Sequence, residues 1–512
     1  MVAKLQESSC DNESNVKIAT NSRQHTTIRS FLLLLIAAGL LFFVNGRWDI
    51  PVAAWVGPIF MARFVSSQQL LRGLVACYLT LVLIVLIQLQ DTFPIPFINL
   101  YIVALVYGGF RFIPYLLDRL LSAKLPGVTA TLVLPLAWTA MEYLNSLIGH
   151  YGSWGSIAYT QYGNLPLLQL LSITGLSGIT FLVVWFASLI NWAWGQNFAW
   201  PKIAKAVLTY SLVLFLVLLW GGMRLAFFPP QSATVRVASI SVDPGNASDI
   251  WDYIGQDVHQ FDMETMRART HPLHDTLFSL SEREAQASAQ IILWAELNGL
   301  TFKIDEPVLI ERGRNLARSR EIYLVMALAV FTPGQKLMEN KAITIDPKGE
   351  IVATYCKSNP IPGDPETGGD SIIRSLDTIH GRISQTICYD MDFHRFIQQA
   401  SRQATDLMVV PALDWPEITP LHTRMATFRA IENGFSLVRQ TSRGLSLATD
   451  YQGNVLAAMN YFNSSDRVMV CRIPTKGVTT VYSTVGDLFA ILCVLTLMII
   501  LAIRARLSLL HR

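Results

Sequence analysis

The chain has 512 residues, of which 52% are hydrophobic and only 15% are charged. Soluble proteins carry roughly 25% charged residues, so this deficit excludes an ordinary soluble protein and points to a membrane. The net charge of +3 is too small to argue for nucleic acid; the excess Lys and Arg flank apolar runs, which membrane topology explains.

Residues 1–28 are polar and rich in Ser, Asn and Gln, and are expected to form a disordered cytoplasmic N-terminus. A bilayer-crossing helix needs about 20 largely apolar residues. Seven candidates fill a transmembrane region at 29–225, at about 30–45, 50–66, 71–90, 95–118, 127–148, 166–194 and 203–223. The first two are short enough to be tilted or partly re-entrant. No small-residue cleavage site follows the first run and more spans come soon after, so it reads as a span rather than a signal peptide. An eighth candidate lies at 482–505, with a cytoplasmic tail at 506–512.

One set of helix ends carries Lys4, Lys17, Arg23, Arg29, Arg72, Arg119, Lys124, Lys202, Lys205, Arg504, Arg506 and Arg512. The opposite set carries Arg47, Arg224 and little else. Basic residues collect on the cytoplasmic side. Both termini are therefore expected in the cytoplasm. Region 228–480, of ordinary soluble composition, is expected on the outer face, and a span count wrong by one would reverse that.

Within that region strands and helices alternate. Val235 to Ser241 predicts a strand, Asp262 to Gln290 one or two helices, and Ile291 to Trp294 a short buried strand. A helix is expected over Val308 to Ser319 and a strand over Tyr323 to Phe331. Asn340 to Tyr355 reads as a hairpin turning at Asp346-Pro347-Lys348-Gly349. A strand from Arg382 is expected to end at Cys388, followed by a helix over His394 to Arg402 and a strand over Leu407 to Val410. The helix from His422 to Asn433 stops at Gly434, and strands follow at Phe435 to Arg439 and Leu445 to Thr449.

The six cysteines, Cys10, Cys77, Cys356, Cys388, Cys471 and Cys493, form no CxxC pair and no zinc spacing. Three fall in the soluble-looking region, an odd number, so a disulfide framework is not expected. No motif calls for a metal or an organic cofactor.

Cys388 follows a β-rich apolar run, where a strand end would present it to a cleft, and Glu296 and Lys357 also close strand-like runs. A thiol needs a base or a nearby cation to become a nucleophile. Glu296 could take its proton. Lys357 could steady the thiolate and then an oxyanion, with the Tyr389 amide as second donor. Each residue alone has a plainer reading: an inert core cysteine, a strand-end carboxylate and a solvated lysine. Cys356 and Cys471 read as structural.

The order and context of these segments resemble the nitrilase, or carbon–nitrogen hydrolase, superfamily. The similarity lies in Val235 to Ile240, Ile292-Leu-Trp-Ala-Glu296, Tyr355-Cys-Lys357, Ile387-Cys-Tyr-Asp390, Phe428 to Gly434 and Val438 to Ser442. The resemblance implies an αββα sandwich, with Glu296 as general base, Lys357 stabilising the intermediate and Cys388 as nucleophile. Over nearly all of 30–505 the chain is similar to the apolipoprotein N-acyltransferase family, with Ala158 to Gln161 and Leu167 to Gly178 resembling its loop and sixth span. The expected fold class is thus a multi-span α-helical membrane region plus a nitrilase-like α/β domain.

That resemblance implies a phospholipid acyl donor, a thioester on Cys388 and an apolipoprotein amine as acceptor. It also implies a multi-pass protein of the bacterial inner membrane with its catalytic domain on the periplasmic face. Asp364 in Pro360-Ile-Pro-Gly-Asp364 would replace a glutamate assisting the lysine, and Trp251 would match a lid tryptophan unless it merely packs. The chain departs from the family at Ala295, usually proline, and at Asp390, usually glutamate. Because Cys-Tyr-Asp is common in soluble amidases, a membrane-tethered amidase acting on a small amide is the alternative. A degenerate lipoprotein-binding scaffold is a third.

Overall fold

The computed structural model describes residues 28–46, 48–90, 92, 97–243, 263–332 and 334–510. Trp251 lies outside the described residues. Among the described residues, five helices are long and apolar enough to cross a membrane: Leu70–Leu89, Asn99–Lys124, Leu176–Gly195, Trp200–Phe227 and Leu488–Leu507. Shorter helices lie with them, among them Ile28–Phe42, Pro51–Ser67 and Val133–Ile148. Leu176–Gly195 is the most enclosed of the five, with 61% of its apolar window buried. The others expose broad apolar faces, as lipid-facing helices do.

The expected span at about 166–194 is interrupted. Short helices Leu165–Leu168 and Leu171–Thr174 precede Gly175, and the long helix starts at Leu176. Gly175 has φ +62°, and a Cβ there would sit 2.5 Å from the Tyr482 ring. Only glycine accepts both the backbone and the contact. Glu432 Oε1 then accepts the Leu176 N–H at 2.9 Å, satisfying a free donor at the new helix start.

The sequence between the bundle and the last helix folds as four layers, α-β-β-α. One sheet has the order β13-β1-β2-β4-β5-β6, with β3 paired to β4; the other has the order β12-β11-β10-β9-β8-β7. The first contains β1 (Thr234–Ile240), β2 (Ile291–Trp294), β3 (Gly299–Phe302), β4 (Tyr323–Phe331), β5 (Glu339–Ile345), β6 (Ile351–Cys356) and β13 (Val468–Pro474). The second contains β7 (Ser375–Thr378), β8 (Gly381–Gln385), β9 (Leu407–Leu413), β10 (Ser436–Ser442), β11 (Leu445–Thr449) and β12 (Val455–Asn460).

Side-chain alternation builds the layers. Val235, Val237, Tyr323 and Val325 face the inter-sheet core with Leu407 and Val409. Ala238, Ile240, Leu324 and Met326 face outward against helices Met263–Gln286 and Glu306–Arg320. Met408 and Val410 meet Ile397, Ala426 and Ala430 of helices His394–Arg402 and Leu421–Asn433.

Helix Leu421–Asn433 is buried on both sides. Ala426 and Ala430 touch the sheet layer, while Met425, Phe428 and Ile431 join the core of the membrane bundle. The sandwich therefore docks on the bundle through a structural helix. Glu142 on Val133–Ile148 fixes the connecting loop by accepting from Trp138 Nε1, Ser156 Oγ, Ile157 N and Thr180 Oγ1 at 2.7–2.9 Å.

Candidate active site

The expected strand into Cys388 is shorter than the sequence suggests. β8 ends at Gln385, and Cys388 begins a 3-10 turn, Cys388–Asp392, with φ +47°. A left-handed non-glycine residue is uncommon and must be held by its surroundings. Asp390 holds it. Its carboxylate accepts from Ile387 N at 3.1 Å, Tyr355 OH at 2.6 Å, Asn359 N at 2.8 Å and Asn359 Nδ2 at 2.9 Å. Tyr355 and Asn359 flank Lys357, so Asp390 ties the Cys388 turn to the lysine segment. Burial pushes the Asp390 carboxyl up to about 6, against the opposing pull of these hydrogen bonds.

Glu296, Lys357 and Cys388 are buried to within 2% of full enclosure. Glu296 lies two residues beyond β2, and Lys357 directly follows β6. Lys357 Nζ stands 3.0 Å from Glu296 Oε1 and 3.0 Å from Glu366 Oε2. Asn340 Nδ2 from β5 bridges the same two carboxylates at 2.7 Å each. Burial opposes the Lys357 charge, but Glu296 and Glu366 outweigh it, and the ammonium titrates well above its ordinary value. Glu296 Oε1 is thus occupied. Its Oε2 is buried without a hydrogen-bond partner among the described residues, leaving one oxygen able to take a proton.

The Cys388 thiol donates to the Leu413 carbonyl at 3.4 Å. Burial and the Glu296 charge push it well above its ordinary value, against Arg439. The resting sulfur is therefore a thiol at neutral pH, and forming a thiolate there would require a base.

Sequence reasoning placed a supporting carboxylate at Asp364. The carboxylate on the lysine is Glu366, two residues further. Asp364 stands outside the contact, with its carboxyl raised to about 6 by burial, partly offset by Lys357. The signal for Glu366 is the short bridge between Met338 and Glu366, which no local pattern announces.

The second sheet contributes groups that sequence reasoning missed. Arg439 of β10, wholly buried, places Nη1 and Nη2 on Asp414 at 2.9 and 2.8 Å, and Nη2 3.9 Å from Cys388 Sγ. His422 Nδ1 lies 2.8 Å from Asp414 Oδ1, and His422 Nε2 lies 3.3 Å from Asp392 Oδ1. Burial works against the Asp414 carboxylate, yet Arg439 and His422 hold it well below the usual carboxylate range. Burial likewise opposes the His422 imidazolium, but Asp392 and Asp414 raise it to about 9. Cys388, Asp414 and His422 could together offer ligand atoms to a metal. The Arg439 guanidinium, in contact with all three, already occupies that space.

The membrane region reaches this turn directly. Tyr389 OH donates to the His150 carbonyl at 2.7 Å, and Ser153 donates to the Asp392 carbonyl through N at 3.0 Å and Oγ at 2.8 Å. Gly152 between them has φ +53°, and a Cβ there would lie 2.6 Å from the Asp392 carbonyl oxygen.

Residues 260–481 match the model of the carbon-nitrogen hydrolase family. The sandwich is thus a carbon–nitrogen hydrolase domain. A solved amidase from Nesterenkonia sp. is 20% identical, covering 48% of this chain and 92% of that one, with a TM-score of 0.35.

Residues 37–189 match the model of the apolipoprotein N-acyltransferase N-terminal domain. Relatives include apolipoprotein N-acyltransferases of Geobacter metallireducens and Rickettsia typhi. The first is 26% identical, covering 75% of this chain and 76% of the relative; the second is 25% identical, covering 72% and 75%. With both family segments present in the same order on a multi-span membrane protein, the chain belongs to the apolipoprotein N-acyltransferase family.

Proposed function

We propose that this protein moves a fatty acyl chain from a phospholipid, through a thioester on Cys388, to the N-terminal amine of a diacylglyceryl-cysteine lipoprotein. Glu296 takes the Cys388 proton, and the sulfur attacks the lipid ester carbonyl. Lys357 and the Tyr389 amide hold the oxyanion. Collapse breaks the ester C–O bond, and Glu296 returns the proton to the departing lysophospholipid oxygen. The lipoprotein amine then attacks the thioester, Glu296 accepts its proton, and the sulfur leaves to be reprotonated.

One observation carries this reading: the turn that bears Cys388 is gripped by loop 150–153 of the membrane bundle. An enzyme for a small soluble amide has no need of that contact, whereas two membrane-anchored substrates require the nucleophile beside the bilayer. We place the catalytic domain on the outer, periplasmic face of the bacterial inner membrane. Arg119 donates to the Gln68 carbonyl, and Arg504 to the Lys124 carbonyl, so these basic ends gather together. Helix Trp200–Phe227, about 40 Å long, carries Lys202 and Lys205 at its start and leads into the sandwich from its other end. The domain boundaries of 29–225, 228–480 and 482–505 belong to the same proposal.

Incubating the purified full-length protein with phospholipid should give an acyl adduct in its intact mass, absent in Cys388→Ala. No adduct in the parent protein sinks the reading. Turnover of a small amide in detergent without phospholipid would favour the amidase instead.

A further inference from the structure

We propose that Arg439 is the second cation of the reactive centre, donating from the second sheet to the Cys388 sulfur and stabilising its thiolate. This rests on the nucleophilic role given above to Cys388.

The charges around the sulfur require such a group. Lys357 lies between Glu296 and Glu366 at 3.0 Å from each, so two carboxylates already share its charge. When Glu296 takes the thiol proton, one negative charge moves from carboxylate to sulfur. The remaining Glu366 still claims Lys357, and Asp364 adds a further negative field to the lysine. Lys357 is also the group placed to hold the oxyanion of the next step. A buried thiolate left to that lysine alone would be poorly compensated.

Arg439 meets the need by geometry. Its Nη1 is committed to Asp414 at 2.9 Å, Thr441 at 2.6 Å and Thr423 at 2.5 Å. Its Nη2 reaches Asp414 Oδ1 at 2.8 Å and is the donor that faces the sulfur, at 3.9 Å. A planar guanidinium held on one edge by a carboxylate and two hydroxyls keeps a fixed aim. Asp414 is in turn fixed by His422, and His422 by Asp392 at the end of the nucleophile turn. The chain of contacts thus starts beside Cys388 and returns to its sulfur. Strand pairing keeps this frame rigid, because Arg439 on β10 is registered against Val410 on β9, which leads into Asp414.

The test is the rate of Cys388 alkylation by iodoacetamide, read by intact mass across pH on the full chain, with Cys388→Ala giving the background from other thiols. Arg439→Met should displace the rate–pH curve upward by about one unit, a roughly tenfold loss at a fixed pH on the rising limb. Arg439→Lys should recover part of it. A folded Arg439→Met with an undisplaced curve overturns the proposal. Should Arg439→Met fail to fold, Arg439→Lys decides: a curve raised by about half a unit supports the assignment, and an unmoved curve overturns it. Acyl trapping keeps the two readings apart. A parent protein that forms the acyl adduct while the Arg439 variants leave the alkylation curve in place counts against Arg439 alone. A parent protein that never forms the adduct counts against the nucleophilic role itself.

Discussion

The two sheets bring opposite kinds of electrostatics to Cys388. The first contributes Glu296, Lys357 and Glu366, with Asn340 cross-linking the carboxylates, a cluster with one more negative charge than positive. The second, with the helix and turn packed on it, contributes Arg439 and His422 against Asp414 and Asp392, which balance. One side is suited to removing a proton, because its excess charge is negative and Glu296 keeps an open oxygen. The other is suited to steadying a geometry, because Asp414 accepts from both Arg439 terminal nitrogens and lies 2.8 Å from His422 Nδ1. Buried ion pairs are often no more stabilising than apolar packing, so two such clusters around one sulfur indicate chemistry rather than stability.

The comparison is most sharply broken at Lys357. Lys357→Met leaves Glu296 and Glu366 facing one another without a counter-ion. It should cut the rate of acyl-adduct formation by about a hundredfold or more. It should also destabilise the sandwich by about 3–5 kcal/mol, since removing one partner of a buried pair strands the other. Adduct kinetics by intact mass and thermal unfolding in detergent measure the two effects. Near-normal kinetics would mean that the first sheet's charges are structural.

Glu366→Gln probes the same cluster more gently. It keeps the shape and removes one charge-assisted contact to Lys357, and should slow adduct formation about tenfold. Asp364→Asn should leave the rate within about twofold, because Asp364 is not in contact with the ammonium. The reverse ranking would return the supporting role to Asp364.

How far the sequence exposes these parts depends on whether each signal is local. The membrane helices are legible because a run of about 20 apolar residues is its own signal, but the break at Gly175 is not, since its cause is Tyr482, three hundred residues away. Glu296, Lys357 and Cys388 each sit in a recognisable strand-and-turn context. Asp390 is visible for the same reason, although the turn that it pins, with Cys388 at φ +47°, is not. Glu366 is invisible because its segment has no period and reaches the lysine through a single bridge to Met338. Arg439 sits in the middle of β10 and Asp414 just past the end of β9, and only the parallel pairing of those strands brings the two together. β3 and β7 are missed because neither is an unbroken apolar run like the equally short β2: Gly299 and Thr301 interrupt one, and Ser375, Asp377 and Thr378 the other.

Gly152→Ala tests the coupling of bundle to sandwich. A methyl 2.6 Å from the Asp392 carbonyl, on a backbone with φ +53°, must move the loop or the turn. Adduct formation should fall severalfold while the protein keeps its fold and its detergent-extracted size. An unaffected rate would mean that the membrane loop rests on the Cys388 turn without positioning it.

A pH dependence of stability at Asp364, with no large change in rate, separates burial from contact in the first cluster. Its carboxyl is raised from 3.8 to about 6, chiefly by burial, with Lys357 pulling the other way and Glu366 and Glu296 adding to the rise. A carboxyl with a raised folded-state pKa favours the folded state most when protonated. Its contribution is full below about 3.8 and is lost as pH rises through about 6. Two units correspond to about 3 kcal/mol at most. Asp364→Asn cannot ionise, so relative to the parent it should gain stability between pH 4 and pH 7 and hold that gain above. Thermal unfolding of both proteins at pH 4.5 and 7.5 measures the difference. If the gap does not widen with pH, Asp364 is better solvated or more closely paired with Lys357 than its position indicates. The first cluster would then hold three carboxylates on one ammonium, and its contrast with the balanced second sheet would be greater still.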